Sequence, residues 1–187
     1  MRRLLLTETA LSGVYLLQRK ALADPRGFLS RVFCAQELVE AGWRKPVAQI
    51  NHTGTVHAGT VRGLHLQAAP HAEMKLVSCL RGAVWDVAVD LRPDSPTYLR
   101  WHAQQLSADN QLALMIPEGC AHGFQSLSDG SELLYCHSAP YMGHAERGVH
   151  PLDAQLAIAW PLPVLLLSVR DAALPEIATG LQPGAMP

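Results

Sequence analysis

The chain has 187 residues, 49% of them hydrophobic and 17% charged, with a formal net charge of −1 at pH 7. That length suits one domain over residues 1–187, and the absence of a basic block excludes an electrostatic nucleic-acid binder. No apolar run approaches the roughly 18–20 residues that a membrane span needs. The opening Met1-Arg2-Arg3-Leu4-Leu5-Leu6 imitates a secretion signal, but Glu8 and Ser12-Gly13 arrive before an apolar region can form, so a cytoplasmic location is expected. Cys34, Cys79, Cys120 and Cys136 are widely spaced without a C-x-x-C pair, and read as buried thiols rather than a disulfide frame or zinc site.

In chain order, residues 4–22 alternate weakly between apolar and polar and predict one or two strands. Asp24-Pro25-Arg26-Gly27 is a turn, because proline sets φ and glycine permits a positive one. Phe28 to Cys34 is expected as a strand, and Ala35 to Ala41 as a short helix stopped by Gly42. Val47 to Thr53 predicts another strand, followed by a loop through Thr60. Residues 59–77 read as two strands and a turn. Leu76 to Leu80, Arg81-Gly82 and Ala83 to Leu91 read as a hairpin. Tyr98 to Leu106 and Gln111 to Ile116 are strands around a turn at 107–110, and His122 to Leu127 and Glu132 to Ser138 continue the pattern. Pro161 and Pro163 make Ile158 to Leu167 an edge segment or extended loop. Asp171 to about Leu181 is moderately helical and kept short by Pro175, with Asp171 as a local N-cap, and Gln182 to Pro187 is expected to fray. Many short strands and few helices define an all-β class. Within that class they indicate a sandwich or barrel, of which a double-sheet jelly roll is the expected member.

Nine histidines invite a metal hypothesis. A metal-binding cupin carries H-x-H with a glutamate four or five residues on, then P-x-G-x-x-H. Pro117 to His122 supplies the second half, but His65-Leu66-Gln67 has glutamine at the second ligand position and Glu73 falls one place too far along. Glutamine is a poor transition-metal ligand, so no metal is expected. Without a metal, imidazoles become acid–base candidates, since they titrate near neutrality.

Several stretches together resemble the dTDP-4-dehydrorhamnose 3,5-epimerase family. They are Val61-Arg62-Gly63-Leu64-His65-Leu66-Gln67 with Lys75 ten residues beyond His65, Asp86 to Arg92, Ser95-Pro96-Thr97, and Ile116 to Phe124. The similarity continues through Glu132 to Tyr135, Glu146-Arg147-Gly148, Ile158 to Leu162 and Leu167 to Asp171, so it covers roughly residues 10 to 175. The resemblance implies a cupin-like fold, a double-stranded β-helix jelly roll with short peripheral helices, in a metal-free and cofactor-free homodimer acting on a nucleotide-linked 4-keto-6-deoxy-hexose. The N-terminal arm, about residues 1–45, would contribute to the dimer. By position, His65 matches the family's base, Asp171 the carboxylate that orients it, Lys75 the group that stabilises the enolate, and Tyr135 the acid on the opposite face. Arg26 and Arg62 match diphosphate or sugar contacts, with Arg26 reaching across from the partner subunit. Gln49 and Asn51 fall on the family's hydrogen-bonding strand, Tyr141 matches an aromatic near the ligand, and His122 lines the same pocket.

Taken alone, each residue has a plainer reading: His65 as a satisfied histidine, Lys75 as a surface charge, Tyr135 as packing, and His122 as a turn cap. The other seven histidines are given no role, and the four tryptophans are assigned to core or interface. The chain departs from many family members at Arg31 (glutamate), Ile50 (aspartate) and Cys136 (lysine). Pro140 stands where an aromatic precedes the tyrosine matched by Tyr141. These leave the nucleotide, the sugar and the number of inverted carbons open. The enzymatic alternative is a single-site epimerase or isomerase on a CDP- or GDP-sugar. The non-catalytic one is a sugar-nucleotide-binding jelly roll, which would be expected to lose one of His65, Lys75, Tyr135 or Asp171.

Overall fold

The computed structural model describes residues 2–177. The N-terminal region forms β1 (Leu4–Glu8), β2 (Tyr15–Arg19) and a small hairpin, β3 (Leu22–Asp24) with β4 (Gly27–Leu29). Nine more strands follow: β5 (Gln49–Thr55), β6 (Val61–Gln67), β7 (Lys75–Arg81), β8 (Ala83–Asp90), β9 (Trp101–Ser107), β10 (Leu112–Ile116), β11 (Cys120–Ser126), β12 (Ser131–His137) and β13 (Glu146–Gly148). One antiparallel sheet runs β1-β2-β10-β7-β12-β5, and a second runs β13-β6-β11-β8-β9. Together they form the all-β jelly roll that the strand pattern predicts.

Period-2 alternation sorts the side chains into three layers. Val77, Cys79, Val84, Ala88, Leu106, Leu114, Phe124 and Leu133 meet between the sheets. Leu4, Leu17, Leu38, Trp43, Leu76 and Cys136 close the outer side of the six-stranded sheet, and Phe33 packs edge-on against Trp43 at 5.3 Å. Leu64, Leu66, Val87, Val89, Leu156 and Ile177 cover the other sheet, with Trp85, Trp101 and Trp160 against them. Trp43 is a core residue, and the other three tryptophans are half-buried against the core. Cys79, Cys120 and Cys136 are buried free thiols, and burial pushes Cys79 up to about 11 and Cys120 up to about 12.

Helix α1 (Ala35–Leu38) runs into a 3-10 turn at Val39–Ala41. Gly42 ends it at φ 93° while donating its N–H to the Val39 carbonyl, a conformation glycine adopts without a Cβ penalty. The segment around Ile158 to Leu167 is extended loop, tied to β6 by the Val61 N–H on the Leu166 carbonyl.

Four expectations are corrected. β7 and β8 do not form a hairpin. β7 pairs with β10 and β12, β8 with β9 and β11, and the single residue Gly82 carries the chain from one sheet to the other. Each strand is central in its own sheet with a neighbour on either side, so neither has a free edge for the other. For the same reason β6 and β7 belong to opposite sheets. The strand expected over Phe28 to Cys34 stops at Leu29, because β4 has only β3 as partner. β9 starts at Trp101, after Leu99 turns the chain at φ 60°. Helix α2 (Val169–Ala172) starts before Asp171, and its N-cap is Ser168, whose hydroxyl accepts the Asp171 N–H at 3.0 Å. The rest of the expected terminal helix and the tail lie outside the described residues.

Candidate active site

The space between the sheets is filled with apolar side chains at one end and opens at the other into a cavity of about 990 Å³. That volume is at the upper end for ligand sites. Of the ten residues singled out in the sequence, nine line it: Gln49 and Asn51 on β5, Arg62 and His65 on β6, Lys75 on β7, His122 on β11, Tyr135 on β12, Tyr141 in the loop beyond, and Asp171 on α2. Arg26 does not. It sits at the tip of the β3–β4 hairpin, its side chain 89% exposed and paired with Asp24.

A bulge brings Arg62 and His65 to the same side of β6. His122 pairs with His65 and Phe124 with Arg62, so β6 spends three steps where β11 spends two. The bulge falls at Gly63, where an added Cβ would lie 2.5 Å from the Gly123 Cα and 2.8 Å from the His122 carbonyl oxygen. Only glycine fits there. Its free N–H donates to Asp171 Oδ2 at 3.2 Å.

Asp171 is the hub of the β6 wall. Oδ1 lies 2.8 Å from His65 Nε2, although the two residues are 106 positions apart. Burial acts to raise its carboxyl, but the hydrogen bonds from His65 and the Gly63 N–H prevail and hold it below the usual carboxylate range. With Nε2–H given to Asp171, His65 Nδ1 carries the free lone pair. Arg170 stands against the same pair, Nη2 at 3.1 Å from His65 Nε2 and Nε at 3.4 Å from Asp171 Oδ1. Its Nη1 reaches Glu146 Oε2 at 3.0 Å, which also accepts the Tyr141 hydroxyl at 2.9 Å.

Tyr135 on β12 and Lys75 on β7 enter from the six-stranded sheet, while His122 on β11 lies beside His65 in the other one. Tyr135 is buried, with His122 edge-on at 5.6 Å and His137 stacked at 5.8 Å. Burial, reinforced by the Asp86 charge, raises its phenol against the opposing pull of Arg62, so the group is a neutral O–H donor. His122 is fixed by Asp86 Oδ1 at 2.8 Å, both side chains buried. Lys75 Nζ donates to the His65 carbonyl at 2.8 Å and pairs with Glu73 Oε1 at 2.9 Å. Gln67, the residue that breaks the metal motif, hydrogen-bonds His71, Pro140 and Met142 and pins the loop that carries Tyr141.

Glu73, Asp86, His137, Glu146 and Arg170 were not singled out for this site by the sequence. His137 stands two residues from Tyr135 on β12, hence on the same face, and that spacing is a usable signal, whereas Glu73 lies in the loop before β7, where strand alternation does not place it. His137 is pushed down to about 4 by burial and by the nearby Lys75 charge, with Glu73 acting the other way. The folded form therefore binds fewer protons than the unfolded chain between about pH 4 and the ordinary histidine value near 6.5. This contribution to stability is full above about pH 6.5 and is lost as pH falls towards 4. His137→Asn is expected to flatten the fall of Tm over that window, measured by calorimetry against the parent.

The dTDP-4-dehydrorhamnose 3,5-epimerase family model matches residues 8–179. A dTDP-4-dehydrorhamnose 3,5-epimerase of Shigella flexneri is 42% identical over 165 residues, 88% of this chain and 91% of its own. A dTDP-4-dehydrorhamnose 3-epimerase of Streptomyces niveus is 40% identical over 178 residues, 95% of this chain and 86% of its own. Among solved structures, the dTDP-6-deoxy-D-glucose-3,5-epimerase of Legionella pneumophila, in complex with dTDP-4-keto-L-rhamnose, superposes with a TM-score of 0.92. The two share 35% identity, over 98% of this chain and 97% of that one.

Proposed function

The chain belongs to the dTDP-4-dehydrorhamnose 3,5-epimerase family, and from that premise we propose that it inverts C3 and C5 of a dTDP-linked 4-keto-6-deoxy-hexose. The ketone at C4 acidifies the protons on both neighbouring carbons, because the carbanion left by either is an enolate. Inversion then needs a base on one side of the ring, an acid on the other and a cation at the enolate oxygen. One observation carries the reading. His65 and Tyr135 enter a single cavity from different sheets, so a sugar between them would meet a base on one side and a protonated phenol on the other.

In this reading His65 removes the proton, Asp171 orients and charges the imidazole, Tyr135 delivers a proton to the opposite face, and Lys75 stabilises the enolate. Arg62, Gln49, Asn51, His122 and Tyr141 hold the substrate. The guanidinium of Arg62 suits the diphosphate. Residues 1–187 act as one domain in a homodimer, and the arm of about residues 1–45 serves the contact. Leu22, Phe28 and Leu29, 48%, 69% and 72% exposed on the β3–β4 hairpin, are the apolar surface that supports this. The hairpin also carries Arg26, which we assign to the partner's cavity. Unpaired cysteines support a cytoplasmic site of action. Among the described residues no helix is long and apolar enough to cross a membrane.

The test is incubation of dTDP-4-keto-6-deoxyglucose, and its CDP and GDP counterparts, in deuterated water with proton NMR at C3 and C5. Exchange at both positions with the dTDP sugar is expected. Silence with all three nucleotides sinks the reading and leaves a binding module. Exchange at C3 alone selects a 3-epimerase, the reading that the Streptomyces niveus relative favours. A preference for the CDP or GDP sugar would reassign the nucleotide. The positions that depart from the family, Arg31, Ile50, Cys136 and Pro140, do not line this chain's cavity.

A further inference from the structure

Glu73 is the buried carboxylate of the cavity wall that the proposed reaction leaves without a part. Its side chain is 5% exposed and that of Lys75 is 9% exposed. Oε1 takes the Lys75 ammonium at 2.9 Å, while Oε2 is shut off from solvent without a hydrogen-bond partner. Leaving an acceptor unmatched in the interior opposes folding, so packing alone gives no reason for a glutamate here.

The surroundings of Lys75 show what the carboxylate does. Across from it stand His65 on β6 and Cys120 and His122 on β11, and beside it in the same sheet its strand partner His137 on β12. None of these supplies a negative charge: the Cys120 thiol is held protonated by burial, and His137 is a neutral imidazole. Asp86 is engaged by His122 and Asp171 by His65. Among the described residues Glu73 is the one carboxylate within ion-pair distance of Lys75. A buried amine without a counter-charge favours its neutral form, and a neutral amine is a weak stabiliser of an enolate oxygen. The geometry adds direction. An ammonium has three N–H donors. One goes to the His65 carbonyl at 2.8 Å, and Glu73 Oε1, an ion-pair partner 2.9 Å from the same nitrogen, holds the amine from a second side, which leaves an N–H for the cavity.

We propose that Glu73 is a positioning residue that keeps Lys75 an ammonium and points an uncommitted N–H at the ketone oxygen of the substrate. The inference rests on the epimerase reading above. Its test compares the full-length enzyme with Glu73→Gln, which keeps the shape and removes the charge, and Glu73→Asp, which keeps the charge. Solvent-deuterium exchange is followed from about pH 6 to about pH 9. At about pH 9, Glu73→Gln is expected to lose about tenfold or more in kcat with KM within about threefold, and the deficit should shrink to about threefold or less at about pH 6, where acid restores the ammonium. Glu73→Asp should keep the parent's pH profile. A Glu73→Gln deficit of the same size at every pH, or no deficit, overturns the inference.

Should Glu73→Gln not accumulate as folded protein, the parent enzyme carries the test. The ¹⁵N signal of the Lys75 amine must be that of an ammonium throughout the pH range in which kcat is constant, and a neutral-amine signal there overturns the inference. If the parent exchanges no sugar at all, the epimerase reading has failed, whereas the ¹⁵N measurement still decides whether Glu73 holds the charge.

Discussion

Replacing His65 by alanine is expected to remove deuterium exchange at both C3 and C5, a loss of about 10²–10⁴-fold, the span a positioned general base supplies. The sugar's C–H bonds are broken at carbon, and His65 is the more accessible of the two carboxylate-paired imidazoles that line the cavity, its side chain 22% exposed against 6% for His122. His122 is committed through Nε2 to Asp86, and His137 is stacked on Tyr135 with its Nε2 facing Asn51. Asp171→Asn should produce a loss of comparable order for a separate reason. The amide has the shape of the carboxylate but can donate to Nε2, which would put the imidazole proton on Nδ1 and block the base. In the parent, the carboxyl of Asp171 lies below the ordinary carboxylate value near 3.9, so its support is present above that value and lost only as pH falls through the lower, folded-state one. Both variants should leave KM within about threefold, because the diphosphate grip assigned to Arg62 is untouched. Exchange at the parent's rate in His65→Ala would discard the assignment of the base.

How much of this was legible beforehand depends on the kind of signal. Period-2 alternation exposed most of the strands, and proline and glycine located most of the turns. Pairing was not legible. Arg81-Gly82 looks like a hairpin turn because the apolar runs on either side do not record which sheet each will join. The Asp86–His122 pair depends on the register of β8 against β11, where Asp86 faces Phe124 and His122 faces Ala88, so it could not be read before that register was known. The β6 bulge was equally hidden. In a regular strand Arg62 and His65, three residues apart, would point to opposite faces, and only the extra residue at Gly63 brings them together. His65, Lys75, Tyr135 and Asp171 were found by resemblance to a family, since each alone has a commoner structural use. Glu73 reads in the sequence as a failed metal ligand, which obscures its place in the loop just before β7, where it lines the cavity beside Lys75.

Tyr135→Phe is expected to separate two events that the parent enzyme couples, proton removal and inversion. The phenol stands on β12, in the sheet opposite the His65–Asp171 pair, and burial keeps it protonated. Phenylalanine preserves the ring, so the edge contact from His122 and the stack with His137 persist, and the fold should change by about 1 kcal/mol or less for one lost hydroxyl. His65 can still take a proton and return a deuteron to the same face. Label therefore enters the substrate with its configuration retained. The ratio of exchange to inversion should rise by about tenfold or more, the lower range of what a general acid contributes. NMR can score both in one sample, exchange from loss of the C3 and C5 proton signals and inversion from the coupling pattern of the new stereoisomer. An equal fall in exchange and inversion would mean that Tyr135 shapes the cavity without delivering the proton, and the acid would then have to be sought elsewhere on the wall facing His65.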